Sequence, residues 1–229
     1  MNEQERLIFN NGERLIPGIS HDIAEATRHR SSYEFFKHEI LNDKNNGNPI
    51  SILDLGCGVG WGCKLLSEIP NSNILGIDID ANSISYAQQK YSASNISYLN
   101  LSMTSPIIRD LYYDYIVSRG ALEHIDNPLP VIHQLKYKRK LIFDVPYKEF
   151  AGHNPFHKWT DIYENTFRDF PEARFYFESM SGFISNQNNL FKPNMILVVL
   201  DSPCRQEDDK AEENKNMLND HLGYSIRKD

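Results

Sequence analysis

Four glycines, Gly56, Gly58, Gly60 and Gly62, stand at every second position directly after Asp54. Glycines so placed let the main chain bend tightly and let a ligand approach where a Cβ would collide. A second carboxylate, Asp78, lies 22 residues beyond Gly56 (78 − 56). That is the spacing at which an acid hydrogen-bonds ribose hydroxyls in nucleoside-binding α/β folds. The dinucleotide pattern G-x-G-x-x-G requires a third glycine at 61 or 63; those positions are Trp61 and Cys63. The chemistry on offer is therefore the capture of a nucleoside-bearing ligand, and the spacing counts against a nicotinamide dinucleotide.

Such a loop works only if a strand delivers it and a helix leaves it. Ile50 to Leu55 is an apolar, β-branched run of the length of a buried parallel strand, and Cys63 to Glu68 reads as helical. Strand, glycine turn and helix together aim bare backbone N–H groups at a ligand. Further strands are expected at Ile74–Asp78, Ile96–Leu101, Tyr113–Ser118, Lys140–Val145, Arg174–Glu178 and Met195–Leu200. Helices are expected from Ser20, as N-cap, to about Ile40, from Asp80 to about Tyr91, and over Trp159–Phe170. The first of these has Ile23, Ala26, Tyr33, Phe36 and Ile40 on one face, and residues 1–20 read as irregular. This alternation predicts an α/β, Rossmann-like, doubly wound and mostly parallel sheet with helices on both faces. The last two strands, joined without a helix, predict an antiparallel pair at one edge. Three regions are expected: an N-terminal segment and helix (1–45) covering the site, a cofactor-binding domain (46–200) and a charged tail (201–229).

Composition narrows the partners. A chain of 229 residues with 40% hydrophobic residues suits one sizeable core, and a formal charge of −7 argues against nucleic acid as the main partner. No apolar run approaches membrane-spanning length. Three cysteines, Cys57, Cys63 and Cys204, form neither a disulfide framework nor a zinc pattern, which points to a reducing cytoplasm. Self-association into a homo-oligomer is compatible with all of this. The basic run Lys136 to Lys140 reads as a solvated turn.

The run D-x-G-x-G-x-G from Asp54 resembles the first motif of the class I S-adenosylmethionine-dependent methyltransferases. The likeness spans roughly residues 12 to 200. Tyr113 to Ser118 followed by Ala121-Leu122-Glu123-His124-Ile125 is similar to the fourth-strand motif of small-molecule members, and Leu141 to Pro146 to their fifth strand. Gly12-Glu13-Arg14-Leu15-Ile16-Pro17-Gly18, His29-Arg30-x-x-Tyr33 and Asn154-Pro155-Phe156-His157 resemble a bacterial subgroup that accompanies glycosyltransferases and sugar-modifying enzymes. The resemblance implies S-adenosyl-L-methionine as cofactor, contacted by Asp54, Gly56, Cys57, Gly58, Gly60, Asp78, Ile79, Ser102, Met103, Ser118 and Arg119. Two positions depart from the pattern: Ser102 stands where members usually carry an adenine-binding Asp, and Lys136 to Lys140 where they carry a Gly-Gly turn.

Methyl transfer is an in-line displacement, and aligning the two reactants supplies much of its rate. A hydroxyl acceptor must also lose a proton, which directs attention to histidine. His124, after the fourth strand at the sheet's carboxyl edge, is the first candidate base, and His157, after the fifth, the second. Glu123 and His124 serve equally as loop-shaping residues, and His153 and His157 as packing residues. His21, His29, His38 and His133 read as helix or surface residues. Asp144 ends the fifth strand, where some sugar O-methyltransferases hold magnesium. With only a remote Glu149 or Asp126 to join it, no metal is expected. Arg119 meets either the cofactor's carboxylate or solvent; Tyr33 and Trp61 wall the pocket or pack the core. The expected acceptor is a sugar or other small-molecule hydroxyl, with a phenol or small acid as alternatives. A cofactor-binding scaffold without catalysis is the rival of a different class.

Overall fold

The computed structural model describes residues 1–10, 14–19, 23–43, 47–188 and 192–202. The expected N-cap Ser20, residues 12 and 13 of the N-terminal motif, and the tail beyond 202 lie outside them. Eight strands form one sheet: β1 (Ile50–Leu55), β2 (Ser72–Asp78), β3 (Ile96–Asn100), β4 (Tyr112–Arg119), β5 (Lys136–Pro146), β6 (Arg174–Ser179), β7 (Ile184–Ser185) and β8 (Pro193–Asp201). Their order is β3-β2-β1-β4-β5-β8-β6-β7. The pairings β2–β3, β1–β2, β1–β4 and β4–β5 are parallel, whereas β8 is antiparallel to both β5 and β6. The strand order reverses between β1 and β4, which opens a crevice at their carboxyl ends where open α/β sheets bind ligands.

Alternation along each strand sorts the core into two layers. Ile52, Ile74, Tyr115, Val117, Ile142, Leu197 and Val199 face one side. There they meet Tyr33, Phe36 and Ile40 of α2 (Ile23–Leu41), Leu65 and Leu66 of α3 (Trp61–Leu66), and Ile84 of α4 (Ala81–Lys90). Leu53, Leu55, Ile116, Leu141, Phe143, Val145, Ile196, Val198 and Leu200 face the other side. That layer is covered more thinly, by Ile132 of the short α5 (Leu129–Gln134), by Ile108 of a 3-10 turn, and by Ile162 and Phe167 from the segment after β5.

Several expectations are corrected. Trp159–Phe170 is not a helix; it contains one 3-10 turn, Glu164–Phe167. The reason is that the segment pairs back on the end of β5. Lys148 N–H donates to the Ile162 carbonyl, Asp161 N–H donates to that of Glu149, and Asp161 takes a left-handed conformation (φ 56°) that ends any helix there. The N-terminus is not wholly irregular: α1 (Glu3–Asn10) opens on a reciprocal cap in which Glu5 N–H donates to Asn2 Oδ1 and Asn2 N–H to Glu5 Oε2. The signal was present as Asn2-x-x-Glu5. Ile8 of that helix, with Ile16, packs on Val59 and Tyr86. Lys136–Lys140 is strand, not turn, and Lys140 is buried with its Nζ 3.0 Å from Glu39 Oε2. Ile23, placed on the apolar face of α2, is exposed. The late strands do pair antiparallel, but β8 lies inside the sheet, with β6 and the unforeseen β7 outside it.

One contact ties the N-terminal helix to the glycine loop. Tyr33 of α2 is buried, and its hydroxyl lies 3.1 Å from each oxygen of Asp54. Cys63 Sγ reaches the same carboxylate at 3.2 Å. A Cβ placed on Gly62 would fall 1.9 Å from Tyr33 Cζ, so the fourth glycine makes room for a tyrosine ring and not for a ligand. Because Tyr33 is pinned at its hydroxyl, it cannot swing clear. Gly62→Ala is therefore expected to cost at least about 1–3 kcal/mol through overpacking, read as a lower urea midpoint with unchanged slope.

Candidate functional site

The carboxyl ends of β1, β2, β4 and β5 carry the residues of interest. At the first glycines, a Cβ on Gly56 would meet Ala121 Cβ at 2.4 Å and one on Gly60 would meet Ala87 and Tyr98. Only Gly58 of the four faces open space: it has φ 53°, and a Cβ there would meet nothing within 4 Å. Its N–H donates to Asp78 Oδ2 at 3.0 Å, which binds the loop to the end of β2. Ile79, the next residue after Asp78, is 69% exposed, and Met103 lies beside Gly56. A vacant left-handed glycine, a carboxylate beside it and two apolar side chains nearby fit a nucleoside.

The other expected cofactor residues divide. Ser102 is only partly buried, and its hydroxyl is shared with Thr104. Cys57 packs beneath the loop against Gly76. Asp54 is fully buried under the loop, and its carboxyl is pushed up to about 7 by burial, against the hydrogen bonds from Cys63 and Tyr33. Ser118 donates to the Leu55 carbonyl at 2.9 Å, stitching β4 to β1. Asp78 also receives a partner that sequence reading missed: Arg14 Nη2 lies 3.2 Å from its Oδ1.

A polar seam runs between α2 and the sheet. Arg119 is not a solvated rim residue; its side chain is 10% exposed and sits 3.0 Å from Glu25 and 3.8 Å from Asp144. Burial opposes its charge, but Asp144 and Glu25 outweigh that and hold its pKa above the usual arginine value. Arg28 pairs with Glu25 and donates to the Met180 carbonyl at 3.1 Å. Glu178 of β6 is buried, with Ser32 Oγ 3.4 Å from its Oε1 and no hydrogen-bond partner at Oε2. His29 lies in α2, one of the two places expected for it. It stacks on Trp61 at 4.9 Å, and burial, aided by the Arg119 charge, holds its pKa well below the usual value, so the ring is neutral.

The expected bases come together. His124 follows β4 in a 3-10 turn, and His157 belongs to the segment after β5. Their rings lie 5.3 Å apart, edge to face. The segment is brought across by the Glu123 carbonyl, which accepts from Lys158 N–H (2.7 Å) and Trp159 N–H (3.0 Å). His124 Nδ1 lies 3.1 Å from the Phe156 carbonyl, and His157 Nδ1 lies 2.5 Å from Glu149 Oε2. Glu123 itself is buried, and burial pushes its carboxyl up to about 8. Sequence reading weighs Glu123 only as a loop-shaping residue and Glu149 only as a remote partner of Asp144. Asp144, weighed above as a magnesium ligand and not expected to be one, accepts from Gly120 N–H at 2.8 Å and faces Arg119. His38 bonds Asn42 on the surface, and His133 stacks on Phe170.

These buried acids make stability depend on pH. Glu178 has its pKa raised from 4.5 to about 8, by burial first and the Asp144 charge second. Between those two values the folded state binds more protons than the unfolded one, so stability falls as pH rises. The slope is at most about 1.4 kcal/mol per pH unit for one group. Urea titrations from pH 5 to 8 are expected to show that decline, and Glu178→Gln is expected to flatten it.

The family description "Methyltransferase domain" matches residues 26–221. Among curated proteins, the chain is 30% identical over 126 residues to the mitochondrial ubiquinone biosynthesis O-methyltransferase of Dictyostelium discoideum, covering 46% of this chain and 39% of that protein. It is 27% identical over 127 residues to the malonyl-[acyl-carrier protein] O-methyltransferase of Acetivibrio thermocellus, covering 55% and 44%. The chain thus spans about two-fifths of the length of these curated relatives. Among solved structures, the magnesium protoporphyrin IX methyltransferase of Synechocystis PCC 6803 with bound S-adenosylhomocysteine shares the fold, with TM-score 0.59, 18% identity and coverage of 86% and 93%. With a family match over most of its length, on the sheet order and glycine loop described above, the chain belongs to the methyltransferase domain family, the class I S-adenosylmethionine-dependent methyltransferases that its motifs resemble.

Proposed function

We propose that this protein transfers a methyl group from S-adenosylmethionine to a hydroxyl of a small molecule. The observation that carries this reading is one edge holding two half-sites. Gly58 and Asp78 form the nucleoside half, and Glu123, His124 and His157 the acceptor half. Gly56 packs on Ala121, two residues before Glu123, so the two halves share a wall.

When bound, the cofactor supplies an electrophilic methyl on a sulfonium, a leaving group that needs no acid. The protein's residues then have three tasks. Asp78 accepts from the ribose hydroxyls, with Gly58 N–H steadying its carboxylate. Ile79 and Met103 offer apolar surface to the adenine, in place of the usual Asp at Ser102. The His124 and His157 cluster relieves the acceptor hydroxyl of its proton, helped by the Glu149 carboxylate behind His157. Arg119 holds the floor of the crevice through Glu25 and Asp144. The N-terminal segment belongs to the site as a cover, since Arg14 reaches Asp78 from outside residues 46–200.

Within this reading a sugar hydroxyl is the preferred acceptor, on the subgroup motifs and on Phe150 and Phe156 beside the histidines; Tyr147 is instead buried against Phe177, and Trp159 packs on Phe167. Phe150 and Phe156 are exposed, as aromatics meant for a sugar's apolar face would be. A phenol or a small acid would use the same inventory, and a cofactor-binding scaffold would leave the histidines idle. Among the described residues no helix is long and apolar enough to cross a membrane.

Calorimetry with S-adenosylhomocysteine and with NADH tests the cofactor, and the former alone is expected to bind. Asp78→Ala should weaken it by about 1–3 kcal/mol, the cost of unpaired polar groups. Release of S-adenosylhomocysteine across a panel of sugar and phenolic hydroxyls tests catalysis. His157→Ala is expected to lower kcat by about 10²–10⁴-fold with cofactor affinity unchanged; silence across the panel despite tight cofactor binding would support the scaffold.

A further inference from the structure

The histidine cluster has a feature that proton transfer alone does not use. Potential ligand atoms of Glu123, His124 and His157 all lie within 4.8 Å of one another. Glu123 is 2% exposed, and its Oε2 has no hydrogen-bond partner. A buried carboxyl oxygen without a partner is costly, and a cation beside it is what would hold the group ionised there.

The surroundings of the two imidazoles point the same way. His124 Nδ1 lies against the Phe156 carbonyl, which only accepts, so that nitrogen carries the proton and Nε2 carries the lone pair. His157 Nδ1 lies against the Glu149 carboxylate, with the same consequence. An imidazole whose far nitrogen is held by a carbonyl or carboxylate is the usual outer partner arrangement of a metal-bound histidine. The Asn154 Nδ2 amide sits 3.2 Å from His157 Nε2 and would give way to an ion. The Glu123 backbone carbonyl, taking Lys158 and Trp159 N–H, fixes the segment that delivers His157.

We propose that Glu123, His124 and His157 form a three-ligand site for a divalent ion of the zinc class, left open toward the acceptor hydroxyl. Two imidazoles and one carboxylate favour such an ion over magnesium or calcium, which take oxygen ligands. Metal–ligand bonds of about 2.0–2.1 Å require the donors to draw in from their present spacing by roughly 1 Å, a movement within reach of side-chain rotation. The inference rests on the methyltransferase reading for its purpose. An ion here would lower the pKa of the acceptor hydroxyl, whose proton leaves to solvent. The oxygen then forms its bond to the methyl carbon as the carbon–sulfur bond breaks, and the sulfonium becomes a neutral thioether. In that case His124 and His157 act on the acceptor's proton through the ion they hold, and the loss of turnover expected of His157→Ala is the loss of that ion.

The test is a titration of the metal-free full chain with Co²⁺, the spectroscopic stand-in for Zn²⁺, followed by Zn²⁺ displacement. One Co²⁺ per chain with visible d–d bands of a four- or five-coordinate ion is expected, displaced by Zn²⁺. His124→Ala, His157→Ala and Glu123→Gln should abolish the bands, and Glu149→Gln should lower affinity by about 10–100-fold. Calorimetry with S-adenosylhomocysteine on the same variants reports folding and cofactor binding independently. Absence of the Co²⁺ bands in wild type, or equal bands in wild type and variants that still bind S-adenosylhomocysteine, overturns the site. Turnover that persists in chelator but disappears in His157→Ala also overturns it, while leaving the methyltransferase reading intact. If wild type binds Co²⁺ but not S-adenosylhomocysteine, the cofactor reading fails and the metal site stands.

Discussion

The hydroxyl of Tyr33 on the carboxylate of Asp54 is the contact on which the site's geometry depends. It joins three elements at one buried point: α2, the end of β1 and, through Cys63 and Gly62, the start of α3. The glycine turn is suspended between the last two, so its shape follows from where the tyrosine sits. The same contact sets the placement of α2 along the sheet edge. Ser32, next to Tyr33, and Glu25, Arg28 and His29, one to two turns before it, then fall above Arg119, Asp144 and Glu178. Burial pushes the tyrosine's pKa well above its ordinary value, so the hydroxyl stays a donor to the acid below it.

The cofactor half of this arrangement was legible because its signals are local. An apolar run, a glycine turn and a second run ending in Asp78 each announce themselves within a few residues. Even there, equal spacing concealed unequal roles. Gly58 faces open space while Gly62 accommodates a ring from 29 residues earlier in the chain (62 − 33), which no local pattern discloses. Histidines at 124 and 157 were picked for lying after parallel strands, and the parallel order brings them together. Glu149 reads only as a remote acid in the sequence because its place beside His157 comes from a chain reversal, with 148–149 pairing back on 161–162. The apolar spacing of Trp159–Phe170 suggests a helix, and that reversal is what a helix there would forbid. Likewise Lys140 looked solvated in a basic run, and only the register of β5 against α2 shows its ammonium under Glu39.

The two faces of the sheet are built for different purposes. One carries three helices whose polar residues reach into the ligand edge, so stability and site are made by the same elements. The other is covered by α5, 3-10 turns and the irregular stretch from Tyr147 to Phe167, whose buried residues Ile162 and Phe167 anchor it to the sheet. Loops fixed at intervals by such anchors can vary between their anchor points without disturbing the core. The exposed aromatics Phe150 and Phe156 lie in one of those intervals, and such loops are where proteins sharing one fold differ in function.

The position of β8 has a consequence for how the chain reaches this state. It is the last strand described, yet it is inserted between β5 and β6, so it supplies neighbours to both. Until residues 193–201 are made, β5 presents an open flank of unpaired N–H and C=O groups beside its most apolar segment, Leu141 to Val145. Such a flank is a template for pairing with another copy. The sheet is thus completed at its middle by a long-range contact that requires residues 193–201. A nascent chain that paired its first five strands before its eighth was made would carry that flank uncovered.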